Sequence, residues 1–135
     1  VPNYPEEILG EDDDNGTMPG SLEDLEAAVV GHKIVSVENV PGEGYYSQDA
    51  TVITLDNGKK VRMIGESDCC AYTDVESFLL HPDKVDHMIM GVGTTEGFTE
   101  WHIYCDYGDI LELQVGWSCG NPFYYGYGFT IKVED

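Results

Sequence analysis

The stretch Trp101–Trp117, with the sequence WHIYCDYGDILELQVGW, decides the fold of this chain. Large apolar residues alternate with polar ones over Trp101–Asp106, and the same alternation returns over Leu111–Trp117. A period of two is typical of strands with one buried and one exposed face. Tyr107–Asp109 between them has the composition of a tight turn. The stretch therefore predicts a pair of antiparallel, half-buried strands.

Further strands are predicted on both sides of this pair. They cover Ile34–Val37, Thr51–Leu55, Lys59–Ile64, Val85–Val92 and Tyr127–Val133. Asn57-Gly58 is the strongest short hairpin signal in the chain, because both residues tolerate positive φ. If these two residues form the whole loop, four side chains share one sheet face: Val52, Thr54, Val61 and Met63.

Capping patterns predict two short helices. Ser21, with an acidic residue three positions later, resembles a capping box, so we expect a first helix that starts at Ser21 and stops at Gly31. Thr73 and Glu76 form a second box, which predicts another short helix that ends before Pro82.

Residues 1–20 differ in composition from the rest of the chain. They include the acidic run Glu11–Asp14 and three prolines, and the first basic residue of the chain is Lys33. This composition is typical of a solvated arm. We therefore expect a flexible acidic N-terminal arm over 1–20. Over 21–135 we expect one compact α+β domain, mainly antiparallel β-sheet with one or two short helices.

The charge of the chain restricts its partners. It has 26 Asp and Glu against 6 Lys and Arg, a net charge of -20 in 135 residues. Binding to nucleic acid or to an anionic membrane requires basic residues that neutralise phosphates, so both are excluded as direct partners. No apolar run approaches the ~20 residues that span a bilayer. The expected partner is a protein with a basic surface.

Three segments supply the expected contact surface: Asp68–Asp74, Trp101–Asp106 and Gly116–Phe129. Tyrosines are enriched in binding hot spots, although aromatic residues beside glycines also suit the packing of a twisted sheet. The candidate interaction residues are Asp68, Tyr72, Asp74, His102, Tyr104, Asp106, Asp109, Tyr124 and Tyr125.

The cysteines support a second hypothesis, a zinc site. Zinc takes about four nitrogen or sulfur ligands, and the candidate set is Cys69, Cys70, His102 and Cys119. The spacing is unlike that of a zinc finger, and a disulfide between adjacent cysteines is strained. We therefore expect reduced thiols in a cytoplasmic protein and no cofactor.

A thiol nucleophile is a related alternative. Cys70 or Cys119 could pair with His102, but no motif of a known family surrounds either thiol. Cys105 shares a strand face with Trp101, so we expect it to be a small core residue. We expect a protein that is not an enzyme.

The segments Cys69–Asp74, Trp101–Asp109 and Gly116–Phe129 resemble a family of small uncharacterised proteins found mainly in phages of actinobacteria. The resemblance covers residues 30–133, and its most specific part is the aromatic and glycine-rich stretch. It implies a phage origin and a role in the host cytoplasm during infection, and it implies no catalytic residue.

Charge and resemblance together predict a phage accessory protein that binds a host or phage protein. In one version its carboxylates mimic nucleic acid and occupy the basic groove of a DNA-binding or defence protein. The further alternative is a minor virion or assembly protein.

Overall fold

The structure, a computed structural model, describes residues 4, 16–42, 49–67, 71–118 and 128–135. Its helix and strands are α1 Met18–Val29, β1 Ile34–Val40, β2 Ala50–Leu55, β3 Lys60–Ser67, β4 Tyr72–Leu80, β5 Gly91–Thr95, β6 Glu100–Cys105, β7 Gly108–Ser118 and β8 Phe129–Glu134. The paired strands are antiparallel, and the chain forms a single compact domain. The α+β expectation is correct only in outline, because eight strands accompany one described helix.

The sheet is organised around β3. Its strand order is β1-β2-β3-β4-β7-β6-β5, and β8 also pairs with β3. β3 pairs with β8 from Lys60 to Gly65 and with β4 at Glu66 and Ser67. One strand therefore joins a β1-β2-β3-β8 half to a β4-β7-β6-β5 half.

The partner change occurs at Gly65, where the backbones approach closely. A Cβ atom at this position would lie 2.7 Å from the carbonyl oxygen of Thr73 and 3.4 Å from Oδ1 of Asp74. The carbonyl belongs to the backbone of β4 and cannot rotate away. Only glycine fits here without displacing β4.

The core lies between α1 and the sheet. Met18, Leu25 and Val29 of α1 are fully buried, and the ring of Trp101 packs edge-on against Phe129 of β8 at 5.4 Å. The Trp101 indole N–H also donates to the carbonyl of Phe98 in the β5–β6 turn, at 3.0 Å.

The first predicted helix exists, but it begins three residues earlier, at Met18, after Thr17 as N-cap. Pro19 fits the first turn, where its missing N–H would have had no helical partner. Ser21 is therefore not the cap. It is buried, and its Oγ accepts a hydrogen bond from the Phe129 N–H at 2.9 Å, which ties α1 to β8.

The second predicted helix is wrong, because Tyr72–Leu80 is strand β4 and pairs along its length with β7. The register shifts between Val75 and Ser77, so Glu76 is an extra residue, a β-bulge. The bulge changes the phase of the buried positions, from Val75 before it to Phe78 after it. A spacing of three between apolar residues imitates a helix, and this imitation produced the error.

The β2–β3 hairpin is confirmed, but its predicted register is wrong. Thr54 pairs with Lys60, and the Leu55 N–H donates to the Lys59 carbonyl, so the loop has three residues, Asp56–Gly58. Gly58 has the positive φ of 83° that such a loop needs. One additional loop residue reverses the side-chain faces, so Val61 lies opposite Ile53 and Met63 opposite Thr51.

The strand predicted over Val85–Val92 lies further along the chain, where β5 begins at Gly91. Segment 82–87 consists of turns, and the Ile89 N–H bonds the His32 carbonyl rather than a strand neighbour. The predicted last strand corresponds to β8, with residue 127 outside the described residues. Cys105 is confirmed as a buried core residue on the face of Trp101.

We predict that Gly65→Ala destabilises the protein by about 1–3 kcal/mol, because the new methyl group overlaps the backbone of β4. Gly20→Ala is the matched control. Gly20 lies in α1 with no atom near its Cβ position, so alanine there should stabilise by about 0.5–1 kcal/mol. Urea unfolding of both variants measures the two effects. Equal stability of the two variants would contradict the proposed constraint at Gly65.

Candidate functional site

The predicted site residues fall into three groups. Some lie outside the described residues: Asp68, Cys69, Cys70, Cys119, Tyr124 and Tyr125. Tyr72 and Asp74 lie on β4 opposite Ser118 and Gly116 of β7, whereas Asp109 lies near the other end of β7. The structure therefore does not bring Tyr72 and Asp74 to Asp109.

The third group consists of His102, Tyr104, Asp106 and Asp109. These residues lie on or beside the side of β4, β7, β6 and β5 that faces away from the core. This side is here called the outer face. His102 and Tyr104 point to this face because Trp101, Ile103 and Cys105 occupy the core side of β6. The prediction that the side chains of His102 and Trp101 point to opposite faces of the sheet is confirmed. Asp106 is exposed in the β6–β7 turn.

A β-bulge brings Asp109 to the outer face. Ile103 pairs with Leu111 but Tyr104 pairs with Asp109, so Ile110 is an extra residue in β7. Ile110 and Leu111 are both fully buried. Without the bulge, Asp109 would follow the alternation of Leu111 and point into the core.

His102 and Asp109 form a hydrogen-bonded pair. The Nδ1 atom of His102 lies 2.9 Å from Oδ2 of Asp109, and its Nε2 atom lies 2.7 Å from the Thr95 hydroxyl oxygen. That hydroxyl donates to Oε2 of Glu100 at 3.1 Å. A hydroxyl has one hydrogen, so Thr95 accepts from His102 while it donates to Glu100. Nε2 of His102 therefore carries a hydrogen, and Nδ1 is the ring atom that faces the carboxylate of Asp109.

Tyr4 covers this pair from outside. Its ring stacks on the His102 imidazole with 4.4 Å between centroids and 7° between planes. Its hydroxyl donates to Oδ1 of Asp109 at 2.8 Å. Gly93 provides the space, because a Cβ there would overlap the Tyr4 side chain. His102 is consequently only 7% exposed although it lies on the outer face.

The surroundings of Tyr4 disfavour loss of its phenol proton. Burial is the largest cause, followed by the hydrogen bond to Asp109 and by the negative charges of Asp109 and Glu112. Together they raise the pKa of Tyr4 well above its ordinary value. Tyr4 therefore acts as a neutral hydrogen-bond donor to Asp109.

A second histidine contacts the neighbouring carboxylate. Glu112 lies directly opposite His102 across β6 and β7, and its Oε2 atom is 2.7 Å from Nε2 of His81. The His81 N–H donates to the carbonyl of Ile110, which holds the segment after β4 against the bulge. The ligating atoms of His102, Asp109 and Glu112 all lie within 4.8 Å of one another.

The candidate sets chosen from the sequence leave out several members of this cluster: Tyr4, His81, Thr95, Glu100 and Glu112. Alternation along β6 and β7 could have placed Glu100 and Glu112 on the same face as His102. No sequence signal connects Tyr4 to Asp109, since they are 105 residues apart.

The fold and the site define a small β-rich domain with a covered His–Asp pair on the outer face of its sheet. The chain matches the family described as Domain of unknown function (DUF7448) over residues 27–131, and it belongs to that family. The expected resemblance to a family of uncharacterised proteins is confirmed, in that the matched family is one of unknown function. The matched segment includes His102, Asp109 and Glu112 but not Tyr4.

No curated protein and no solved structure matches the chain. None of the helical segments in the described part of the chain combines the length and the apolar character of a membrane span.

We predict that Tyr4→Ala increases the rate at which diethyl pyrocarbonate modifies His102 several-fold, because the stacked ring shields the imidazole. Peptide mapping by mass spectrometry measures the rate at each histidine. His32 is the internal control, since 36% of its side chain is exposed against 9% for His102. Tyr4→Phe keeps the ring and should change the rate less. An unchanged His102 rate in Tyr4→Ala would contradict the covering role.

Asp74 generates a prediction about pH. Burial, and then the negative charges of Asp49 and Glu76, raise the pKa of Asp74, although a hydrogen bond from the Val75 N–H opposes them. A carboxyl group with a raised folded-state pKa binds its proton more tightly in the folded state. Its ionisation therefore destabilises the fold as pH rises above ~3.9, the ordinary pKa of aspartate.

Asp74→Asn should consequently be more stable than the wild type at pH 7, and the difference should vanish near pH 3. Thermal unfolding at both pH values measures it. Asp83→Asn is the control, because the hydrogen bond from Lys84 lowers the pKa of Asp83 and predicts no gain at pH 7. If the stability gain of Asp74→Asn instead became larger at low pH, the raised pKa of Asp74 would be contradicted.

Proposed function

We propose that this protein acts by binding a partner protein with a basic surface, through the acidic, tyrosine-containing outer face. The observation that carries the proposal is the separation of charge over the described residues. The carboxylates on the outer face are Asp74, Glu76, Glu100, Asp109 and Glu112, with Asp106 in the adjoining turn. No Lys or Arg occurs between Lys84 and Lys132.

The Lys and Arg residues that form salt bridges pair with acids outside the outer face. This includes Lys84, which lies near Gly108 at the start of β7 and pairs with Asp83 at 3.3 Å. Lys60 and Arg62 are on β3, and Lys132 of β8 lies opposite Arg62. Arg62 bonds Glu134 at 3.0 Å, and Lys59 lies 3.8 Å from Asp135. These cations therefore compensate the C-terminal acids and leave the acids of the outer face without Lys or Arg partners among the described residues.

Mutual repulsion of the acids on the outer face favours a cationic partner. Burial, and then the negative charges of Asp49 and Glu76, raise the pKa of Asp74, as expected where like charges lie close together. A basic protein surface would relieve this repulsion and would be attracted over long range. Tyr72, which is 44% exposed, adds an aromatic contact at the edge of the same face.

The specific version of the proposal is nucleic-acid mimicry by a phage accessory protein in the cytoplasm of its host. The carboxylates would stand in for phosphates in the basic groove of a DNA-binding or defence protein. The net charge of -20 and the resemblance to actinobacterial phage proteins support this version. A minor virion or assembly protein with the same acidic face is the alternative that particle purification would reveal.

The experiment compares two variants of equal net charge. The face variant carries Asp74→Asn, Glu76→Gln and Asp106→Asn. The control variant carries Glu23→Gln, Asp24→Asn and Glu38→Gln, which change three exposed acids of α1 and β1. Both are used with the wild type to capture proteins from an actinobacterial lysate at low and at high salt, with identification by mass spectrometry.

We expect one specific protein to bind the wild type and the control at low salt and to be released at high salt. The face variant should bind it about tenfold more weakly, which corresponds to about 1.4 kcal/mol. Competition by duplex DNA for the captured protein would support mimicry. Equal loss of binding in both variants would mean that net charge, and not the outer face, determines binding. No capture of a protein at either salt concentration would contradict the proposal for that host.

A further inference from the structure

We propose that His102, Asp109 and Glu112 form a binding site for one divalent transition-metal ion on the outer face of β6 and β7. The site is separate from the cysteine-based set predicted by the sequence and shares only His102 with it. Cys105 cannot contribute, because it is buried on the opposite side of β6.

The three side chains converge from two neighbouring strands. His102 and Glu112 are a directly opposed cross-strand pair, and the bulge at Ile110 brings Asp109 to the same face. Their ligating atoms lie within 4.8 Å of one another. Donor atoms bound at ~2.0–2.2 Å from one ion lie about 3–4 Å apart, so small side-chain rotations close the site.

The hydrogen bonds of His102 leave Nδ1 for the ion. Because Thr95 donates to Glu100, it accepts from Nε2–H of His102. Nδ1 faces Asp109 at 2.9 Å, and a metal ion between them takes the place of the bridging proton. A histidine ligand whose other ring nitrogen donates to a fixed acceptor is the usual arrangement in metal sites.

Outer partners orient both carboxylates. Tyr4 donates to Oδ1 of Asp109 and leaves Oδ2 toward His102, while His81 contacts Oε2 of Glu112. The Tyr4 ring also shields the imidazole, and only 15% of the Asp109 side chain is exposed. A covered histidine with two oriented carboxylates is a more defined arrangement than acids gathered on an open surface.

The donor set indicates the class of metal. One imidazole nitrogen and two carboxylates suit Zn²⁺, Mn²⁺ or Fe²⁺, whereas Ca²⁺ and Mg²⁺ prefer oxygen ligands alone. The net charge of the three ligands with a neutral imidazole is minus two, which a divalent ion compensates. Among the described residues, no Lys or Arg forms a salt bridge with Asp109 or Glu112.

The test measures binding of Mn²⁺ to the full chain after treatment with a chelator, by the electron paramagnetic resonance signal of the free ion. Mn²⁺ is chosen because it prefers oxygen and nitrogen to thiolate, so the cysteines do not interfere. Zn²⁺ is then tested by competition. We expect one equivalent of Mn²⁺ to bind and Zn²⁺ to displace it.

Asp109→Asn and Glu112→Gln should each weaken binding at least about tenfold. Glu96→Gln, which changes an exposed acid in the β5–β6 turn, is the matched control and should bind like the wild type. Thermal unfolding with and without Mn²⁺ separates lost binding from lost folding, since the metal should raise the midpoint of the wild type and the control only.

Two results would overturn the proposal: no metal binding by the folded wild type, or wild-type affinity in both Asp109→Asn and Glu112→Gln. The face variant that tests partner binding leaves these three residues unchanged and should bind Mn²⁺ normally. Failure of the metal site and failure of the partner surface are therefore distinguishable.

Discussion

The fold depends on the close approach of β3 and β4 at Gly65. At this position β3 ceases to pair with β8 and begins to pair with β4, so a single strand belongs to both halves of the sheet. The absence of a side chain lets the Thr73 carbonyl pass within contact distance. The position of β4 determines where β7, β6 and β5 follow, while β8 places Phe129 against Trp101 and Ser21.

The outer face is formed by departures from regular strand geometry. Glu76 is an extra residue in β4, and its side chain lies where a Cβ of Gly116 would be. Ile110 is an extra residue in β7 and turns Asp109 outward to meet His102. The glycines of β5 complete the arrangement, because Gly93 leaves room for the ring of Tyr4. Residues in regular alternation along the strands form the core, whereas bulges and glycines position the side chains of the site.

Much of the fold could be predicted from alternation alone. The pairing of β6 with β7, the pairing of β2 with β3 and the burial of Cys105 were predicted correctly. The turn between β6 and β7 lies at Asp106 and Tyr107 rather than at Tyr107–Asp109. Two of the errors share one cause, the insertion of a single residue. Glu76 made β4 resemble a helix, and Asp56 extended the hairpin loop and reversed the faces of β3. A sequence pattern with a period of two does not reveal where its phase changes, since a bulge depends on the strand opposite.

The sequence by itself determined the acidic charge, the strand-rich composition and the opposite orientation of Trp101 and His102, because these follow from residue type and local periodicity. Only the tertiary structure decided that His102 meets Asp109 and Glu112 and that Tyr4 covers them. The contact among His102, Asp109 and Glu112 depends on the register within the β6–β7 hairpin and on the bulge at Ile110. The cover depends on packing between distant parts of the chain, because Tyr4 is 105 residues from Asp109. A local sequence pattern records neither.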